Sequence, residues 1–272
     1  MAYGLLKGKR GIISGALDEN SIAWKVALKA KEEGAVFTLT NAPIAMRMGA
    51  INQLAEQCDA KVIPADATST EDLEKLYSES MDALGGKGDF VLHSIGMSPN
   101  VRKGREYGNL NYEWYMKSVD VSAMSLHKFL QSAEKLDAIN EWGSVVALSY
   151  IAAQRAFPFY NDMADAKAIL ESIARSYGYR YAKSKKVRVN TISQSPTPTT
   201  AGTGIGGFDS FFEFAEKMSP LGNASAEDCA NYVITLFSDL TRMVTMQNLF
   251  HDGGYSTTGI SEELMAMIQQ KA

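Results

Sequence analysis

Cysteine and histidine are scarce in this chain: Cys58 and Cys229 are its two cysteines and three histidines are scattered over 272 residues. Neither type falls into a CxxC or Cys/His ligand spacing, which disfavours a disulfide framework and a metal centre alike. Positive charge is also in short supply. Lys and Arg total 27 against 31 Asp and Glu, for a formal net charge of -4, and the one dense basic stretch is the short "KSKK" at 183–186. That leaves no electrostatic footprint for a phosphate backbone, so nucleic acid is not an expected partner. Long apolar runs are missing too: Lys7, Lys9 and Arg10 interrupt the first fifteen residues before they reach signal-peptide or membrane-spanning length. No membrane association is expected, and a cytoplasmic location follows by default.

What is present is ordinary globular material, 46% hydrophobic and 21% charged. Short β-rich runs alternate with longer segments whose apolar residues recur at helical spacing. The runs are "GIISG" (11–15), "AVFTLT" (35–40), "AKVIPA" (60–65), "DFVLHSIG" (89–96), "GSVVALS" (143–149), "VRVNTIS" (187–193) and "QNLFHD" (247–252). Most are apolar at consecutive positions, as strands are when helices cover both faces of a parallel sheet. With no Pro/Ser-rich linker, repeat or low-complexity segment, the pattern predicts an α/β fold: a single Rossmann-type doubly wound domain over 1–272, with about seven parallel strands.

In such folds ligands gather outside the carboxyl ends of the strands, so the residues just after each run are the candidates. After the first, Gly15 lets the backbone approach a pyrophosphate, and Ser21 and Ile22 open a helix whose free N–H groups suit an anion. The full G-x-G-x-x-G is absent, and an ordinary tight turn explains Gly15 equally well. Neutral Asn41 ends the second run where Asp or Glu favours NAD and Arg favours NADP, so the nucleotide choice leans to NADH with NADPH as the alternative. Asp66 and Ala67 follow the third run, where the carboxylate can accept from an adenine amino group. Ser94, Ile95 and Gly96 follow the fourth and suit packing against a ribose or nicotinamide.

The fifth run leads to "YNDMADAK", with Tyr160 and Lys167 two helical turns apart, about 10 Å along the axis and on one face. A lysine beside a tyrosine favours phenolate and lowers the phenol pKa, which suits a proton donor near neutral pH. Two downstream pairs, Tyr179/Lys183 and Tyr181/Lys185, have the Tyr-x-x-x-Lys spacing of most short-chain dehydrogenases. They sit just before the sixth run, at the wrong end of the helix for a ligand, and read as a solvated basic C-terminus.

Gly15 with "SIA", then "HSIG", "LSY", the Tyr-x6-Lys pair, "VRVNTIS" and "HDGGYS" follow one another as in the enoyl-acyl-carrier-protein reductases of bacterial fatty-acid synthesis. The chain resembles that divergent branch of the short-chain dehydrogenases from about residue 5 to 260. The resemblance implies NADH-dependent reduction of a trans-2-enoyl thioester borne on acyl carrier protein, by a homotetramer. It implies that Tyr160 bonds the enolate oxygen, that Lys167 binds the nicotinamide ribose, and that Tyr150 orients or closes the acyl pocket. It further implies Thr199 at the pyrophosphate, Ile192 at the carboxamide, and a substrate-binding loop and helix at about 194–218. Met97, Met163 and Phe208, with Phe157 and Phe211, would line the acyl pocket. Gln194, Ser195 and Ala164 depart from the residues usual in that family. The wider Tyr-Lys spacing then has a chemical sense, because an enoyl reducer must reach an oxygen two carbons beyond the carbon that takes the hydride. An acidic carrier would be guided by cations, with Arg155, Arg188 and "KSKK" as candidates. Two other readings stand: a carbonyl-reducing short-chain dehydrogenase and a non-catalytic dinucleotide-binding sensor.

Overall fold

The computed structural model describes residues 2–200, 202–204 and 206–270. Its strands are β1 (Arg10–Ser14), β2 (Val36–Thr40), β3 (Lys61–Val62), β4 (Gly88–His93), β5 (Ile139–Ser149), β6 (Arg188–Gln194) and β7 (Asn248–His251). The helices are α1 (Ile22–Glu32), α2 (Ala50–Cys58), α3 (Thr70–Leu84), α4 (Pro99–Arg102), α5 (Tyr112–Val119), α6 (Ser125–Lys135), α7 (Asn161–Lys185), α8 (Phe208–Met218), α9 (Ala226–Phe237) and α10 (Glu262–Gln270). A π-helical turn at Asp120–Met124 joins α5 to α6.

The strands form one parallel sheet in the order β3-β2-β1-β4-β5-β6-β7. One face carries α1, α2 and α9 over a core that includes Ile13, Leu39, Phe90 and Ile192. The other carries α3, α6 and α7 over Val91, Phe129, Val145 and Tyr181. Burial on both faces explains why the strand sequences run apolar without alternating.

The chain passes from β1 to β2 in one direction and reaches β4 on β1's other side, so β1 and β4 flank the point where strand order reverses. A crevice at the carboxyl ends is the usual result. Register then sets its walls: Ser14 pairs with both Thr40 and His93, Ser149 with Ser193, and Gln194 with His251. Gly15, Asn41, Ser94, Tyr150 and Ser195 therefore leave the sheet just beyond its last paired rungs.

Strand boundaries differ from the sequence reading at several ends; β5, for one, begins at Ile139 rather than Gly143. The third strand keeps two residues of an expected six, because the chain turns away at the sheet's outer edge. The fourth ends at His93 rather than Gly96, which frees Ser94–Gly96 from the ladder. At the helix starts, Ser69 accepts from Asp72 N and so caps α3, while Ser21 does not cap α1.

Candidate active site

Gly15 has φ +91°, and a Cβ there would lie 1.9 Å from the Ser94 carbonyl oxygen. Only glycine permits both that left-handed backbone and that approach of β1 to β4. Ser21 Oγ donates to Asp18 O at 2.6 Å and accepts from Leu17 N at 3.3 Å, which ties its hydroxyl into the loop. The first N–H groups of α1, including that of Ile22, thus have no side-chain cap, as an anion-receiving helix start requires.

Asn41 donates to Ala16 O at 3.0 Å and accepts from Ala42 N at 2.8 Å, bracing β2's end against the glycine turn. Asp66 is exposed and accepts from Thr68 N at 2.9 Å and Thr68 Oγ1 at 2.8 Å, while Ala67 packs on the core. Asp66 and Thr68 also border a cavity of about 540 Å³ with Val119 and Val121. A second cavity, of about 850 Å³, opens between α3, α6 and α7 and is lined by none of the expected site residues.

After β4, Ile95 packs on the core and Gly96 is open to solvent. A Cβ on Gly96 would lie 3.4 Å from Met163 Cε and 3.7 Å from Lys167 Nζ. Ser122 Oγ clamps the next residue, accepting from Met97 N at 2.9 Å and donating to Met97 O at 3.1 Å. Its contact with Met163 Sδ, at 3.5 Å, joins the two methionines expected to line the pocket. His93 lies beneath. Ser125 Oγ spends its hydrogen on Val121 O, so His93 Nε2, 2.8 Å away, carries the proton and leaves Nδ1 free. Burial, with the nearby Lys167 charge, takes His93 down to about 3, so the ring is neutral at working pH.

Tyr160 sits at the N-terminus of α7, between Phe159 and Asn161, whose φ values of 71° and 43° are left-handed. Such paired backbone strain is uncommon outside sites whose surroundings hold it in place. The Tyr160 ring lies 5.1 Å from that of Tyr150, centroid to centroid. Phe157 and Phe211 close on Tyr150 at 5.3 and 5.9 Å, and Tyr255 on Phe157 at 6.2 Å. Tyr150 is 7% exposed and its hydroxyl has no partner, which marks a buried polar group in want of one. Burial raises both phenols well above their ordinary value.

Lys167, 6% exposed, donates to Leu148 O at 2.7 Å and is lowered to about 8, by burial first and against the pull of the Glu171 charge. The expectation that Lys167 drives Tyr160 toward phenolate is corrected: desolvation governs the phenol and keeps it protonated.

Three further placements depart from the sequence reading. Ile192 is 0% exposed, two residues inside β6, with its side chain in the core under α9. The segment past the sheet edge begins at Ser195, so the Ile192 side chain lies within the sheet rather than beyond its edge. Tyr181 is 1% exposed rather than solvated, and Lys185 pairs with Asp137 at the far end of α7. Arg188 is buried, donating to Leu236 O and Thr241 O, whereas Arg155 is exposed, as are Lys183 and Lys186 of "KSKK" at the end of α7 far from Tyr160.

In the loop after β6, Thr199 Oγ1 accepts from Gly202 N at 3.0 Å, and Thr200 Oγ1 donates to Asp18, joining this loop to the one after β1. Phe208, in the first turn of α8, forms a tilted pair with Phe212 of the same helix at 5.8 Å, while Phe211 meets Tyr150.

Sequence reasoning missed the polar framework. Asp162 and Glu171 are buried carboxylates on α7, and Glu171 accepts from Ser149 Oγ at 2.7 Å and Gln154 Nε2 at 2.9 Å. Glu171 was findable as the i+4 neighbour of Lys167. Asp162 reads in sequence only as an acid in a helix's first turn.

A family model for enoyl-(acyl carrier protein) reductase matches residues 15–256. The enoyl-acyl-carrier-protein reductase (NADH) FabI of Rickettsia bellii is 36% identical over 268 residues, 95% of this chain and 98% of its own. The crystal structure of a FabI–NADH complex from Alistipes finegoldii is 66% identical with a TM-score of 0.94, covering 95% of this chain and 92% of that one. The enoyl-acyl-carrier-protein reductase (NADH) of Aquifex aeolicus is 32% identical at a TM-score of 0.87, covering 94% and 99%. Such agreement along nearly the whole length of each partner, in sequence as well as fold, means that this chain belongs to the enoyl-acyl-carrier-protein reductase family.

Proposed function

We propose that the chain uses NADH to reduce the trans-2 double bond of an enoyl thioester carried on acyl carrier protein. The observation that carries this reading is that the Tyr160/Tyr150 ring pair and the buried Lys167 ammonium, bonded to Leu148 O, both stand at the carboxyl end of β5. The residues fit a dinucleotide on their own terms. Gly96 leaves open space beside Lys167 Nζ, and buried Thr40 Oγ1, His93 Nδ1, Tyr150 Oη and Ser193 Oγ all lack partners near the ends of β2, β4, β5 and β6. Asn41, braced and uncharged, offers no cation for a 2′-phosphate, and Arg47 beyond it is exposed, which favours NADH over NADPH.

In this reading Gly15, the start of α1 and Thr199 hold the pyrophosphate, while Asn41 lies at the adenosine ribose with Asp66 and Ala67 at the adenine. Ser94, Ile95 and Gly96 pack on the nicotinamide side, and Lys167 donates to the ribose hydroxyls. A bound reduced nicotinamide supplies hydride to the β-carbon, and a proton from solvent completes the reduction at the α-carbon. As charge develops on the thioester oxygen, Tyr160 donates a hydrogen bond to it from a desolvated position where such a bond is strongest. Tyr150, with Phe157, Phe211, Met97 and Met163, holds the acyl chain against the loop and helix at 194–218, within which Phe208 pairs with Phe212.

The reading extends to one domain over 1–272, with 194–218 as the substrate-binding loop and helix, working as a homotetramer in the cytoplasm. Supporting assembly, Phe250 on edge strand β7 and Ile260 and Ile268 near it in sequence are exposed. No described helix is long and apolar enough to cross a membrane, and no group of His, Cys, Asp or Glu among the described residues could hold a metal.

The test is NADH oxidation with a crotonyl thioester. Tyr160→Phe should lower kcat by about 10²–10³-fold, the range for losing one donor to a developing oxyanion. Wild-type turnover in that variant would refute the residue assignment.

A further inference from the structure

Asp162 is 0% exposed and is used by none of the steps above. Its carboxylate accepts from Ser98 Oγ at 2.6 Å and Asn100 Nδ2 at 2.9 Å, and lies 2.8 Å from Ser118 Oγ, whose one hydrogen it shares with Trp114 O. All three partners are neutral. A buried carboxylate so placed is a poor way to add stability, since apolar side chains of the same volume commonly do as well or better.

Its neighbours on α7 make matching contacts. Asn161 donates to Arg105 O, and Asp165 accepts from Tyr107 at 3.0 Å and Tyr115 at 3.1 Å. At about 100° per residue, Tyr160, Ala164, Lys167 and Glu171 share one side of the helix, whereas Asn161, Asp162 and Asp165 lie roughly 100–200° around from them. The first turn of α7 therefore has a face toward the site and a face bolted to residues 98–118. Ser98, one of the bolts, directly follows the Ser94–Met97 loop, and its Oγ also accepts from Val101 N at 3.0 Å. Asp162 thus joins the loop after β4 to the turn that bears Tyr160, across a backbone with left-handed residues on either side of that tyrosine. Strain of that kind persists only where neighbouring contacts fix it.

We infer that Asp162 is a positioning residue: through Ser98, Asn100 and Ser118 it sets Tyr160 against the loop after β4, and so against the reacting thioester oxygen. This rests on the role proposed for Tyr160, and the two are separable by a double-mutant cycle. Asp162→Ala is compared with wild type, and Tyr160→Phe/Asp162→Ala with Tyr160→Phe, by single-turnover NADH oxidation with a crotonyl thioester well below the melting transition. Misplacement of a catalytic group by an ångström costs on the order of 10²-fold, so Asp162→Ala should lower the rate by about 30- to 100-fold in the first pair. In the second pair it should change the residual rate by less than about threefold, because the group it positions is gone. NADH affinity should hold within about threefold, and Asp162→Asn, which keeps one acceptor oxygen, should recover most of the rate.

Equal losses in both pairs, or an undiminished rate in folded Asp162→Ala, would overturn the inference. If Asp162→Ala does not fold, Ser98→Ala/Ser118→Ala removes two of the three donors and is judged in the same two backgrounds. Wild-type turnover in Tyr160→Phe alone strikes the functional reading itself, and this inference falls with it.

Discussion

Lys167 shows stability and function pulling one residue in opposite directions. Its ammonium is buried with one carbonyl as hydrogen-bond partner, and its value falls from 10.5 to about 8. Between those two values the unfolded chain binds the proton more strongly than the folded one. Stability should therefore rise as pH climbs from about 8 toward 10.5, and the burial cost is felt in full below 8. NADH affinity should move the other way, weakening as the charge is lost above about 8, which titration of cofactor fluorescence across that range would check. Lys167→Met should unfold no earlier than wild type in a thermal melt while binding NADH at least about tenfold more weakly, in line with a site that trades stability for function. Tyr150 makes a companion case. Its hydroxyl is buried and unpartnered in the ligand-free chain, so Tyr150→Phe should be neutral or stabilising by up to about 1–2 kcal/mol in denaturant titration. Marked destabilisation would show that the hydroxyl has a partner after all.

Elements act through where they end. The paired ends of β1 and β4 make a slot that only Gly15 closes, and Gly15→Ala sets a left-handed strain of roughly 1–2 kcal/mol on top of a clash with the Ser94 carbonyl. That variant should lose more than about 2 kcal/mol in chemical denaturation and most of its NADH affinity, while retaining its helical circular-dichroism signal. How far the elements could be read in advance depended on locality. Strand existence and order follow from apolar runs and turn residues, which are local. The shortness of β3 does not, because an outer edge strand has a neighbour on one side only. Gly15 and the Tyr160/Lys167 pair were legible because their spacing and place after a strand are local features. That the Ile192 side chain sits in the core was not legible, because a residue inside a strand and one just past its end differ by a register that sequence does not display. Asp162 and its donors at 98, 100 and 118 were invisible, since contacts between segments so far apart leave no spacing to read.

At the scale of the molecule, strand order reverses at β1 and β4, where such folds open a ligand crevice, and in the proposed reading α7 carries the chemical groups along its rim. Most short-chain dehydrogenases set tyrosine and lysine one turn apart; here the tyrosine is displaced to the very start of α7, against Tyr150 and Phe157. A displaced donor suits a conjugated thioester, whose charge develops two carbons beyond the site of hydride attack, and serves poorly for a ketone. Initial rates with a 2-enoyl and a 3-ketoacyl thioester of equal chain length, each with NADH and with NADPH, compare these demands directly. The enoyl thioester with NADH should be the fastest of the four by at least about tenfold, with little turnover of the ketoacyl thioester on either nucleotide. Preferential reduction of the ketoacyl thioester, or tight NADH binding with no turnover of either substrate, would contradict it.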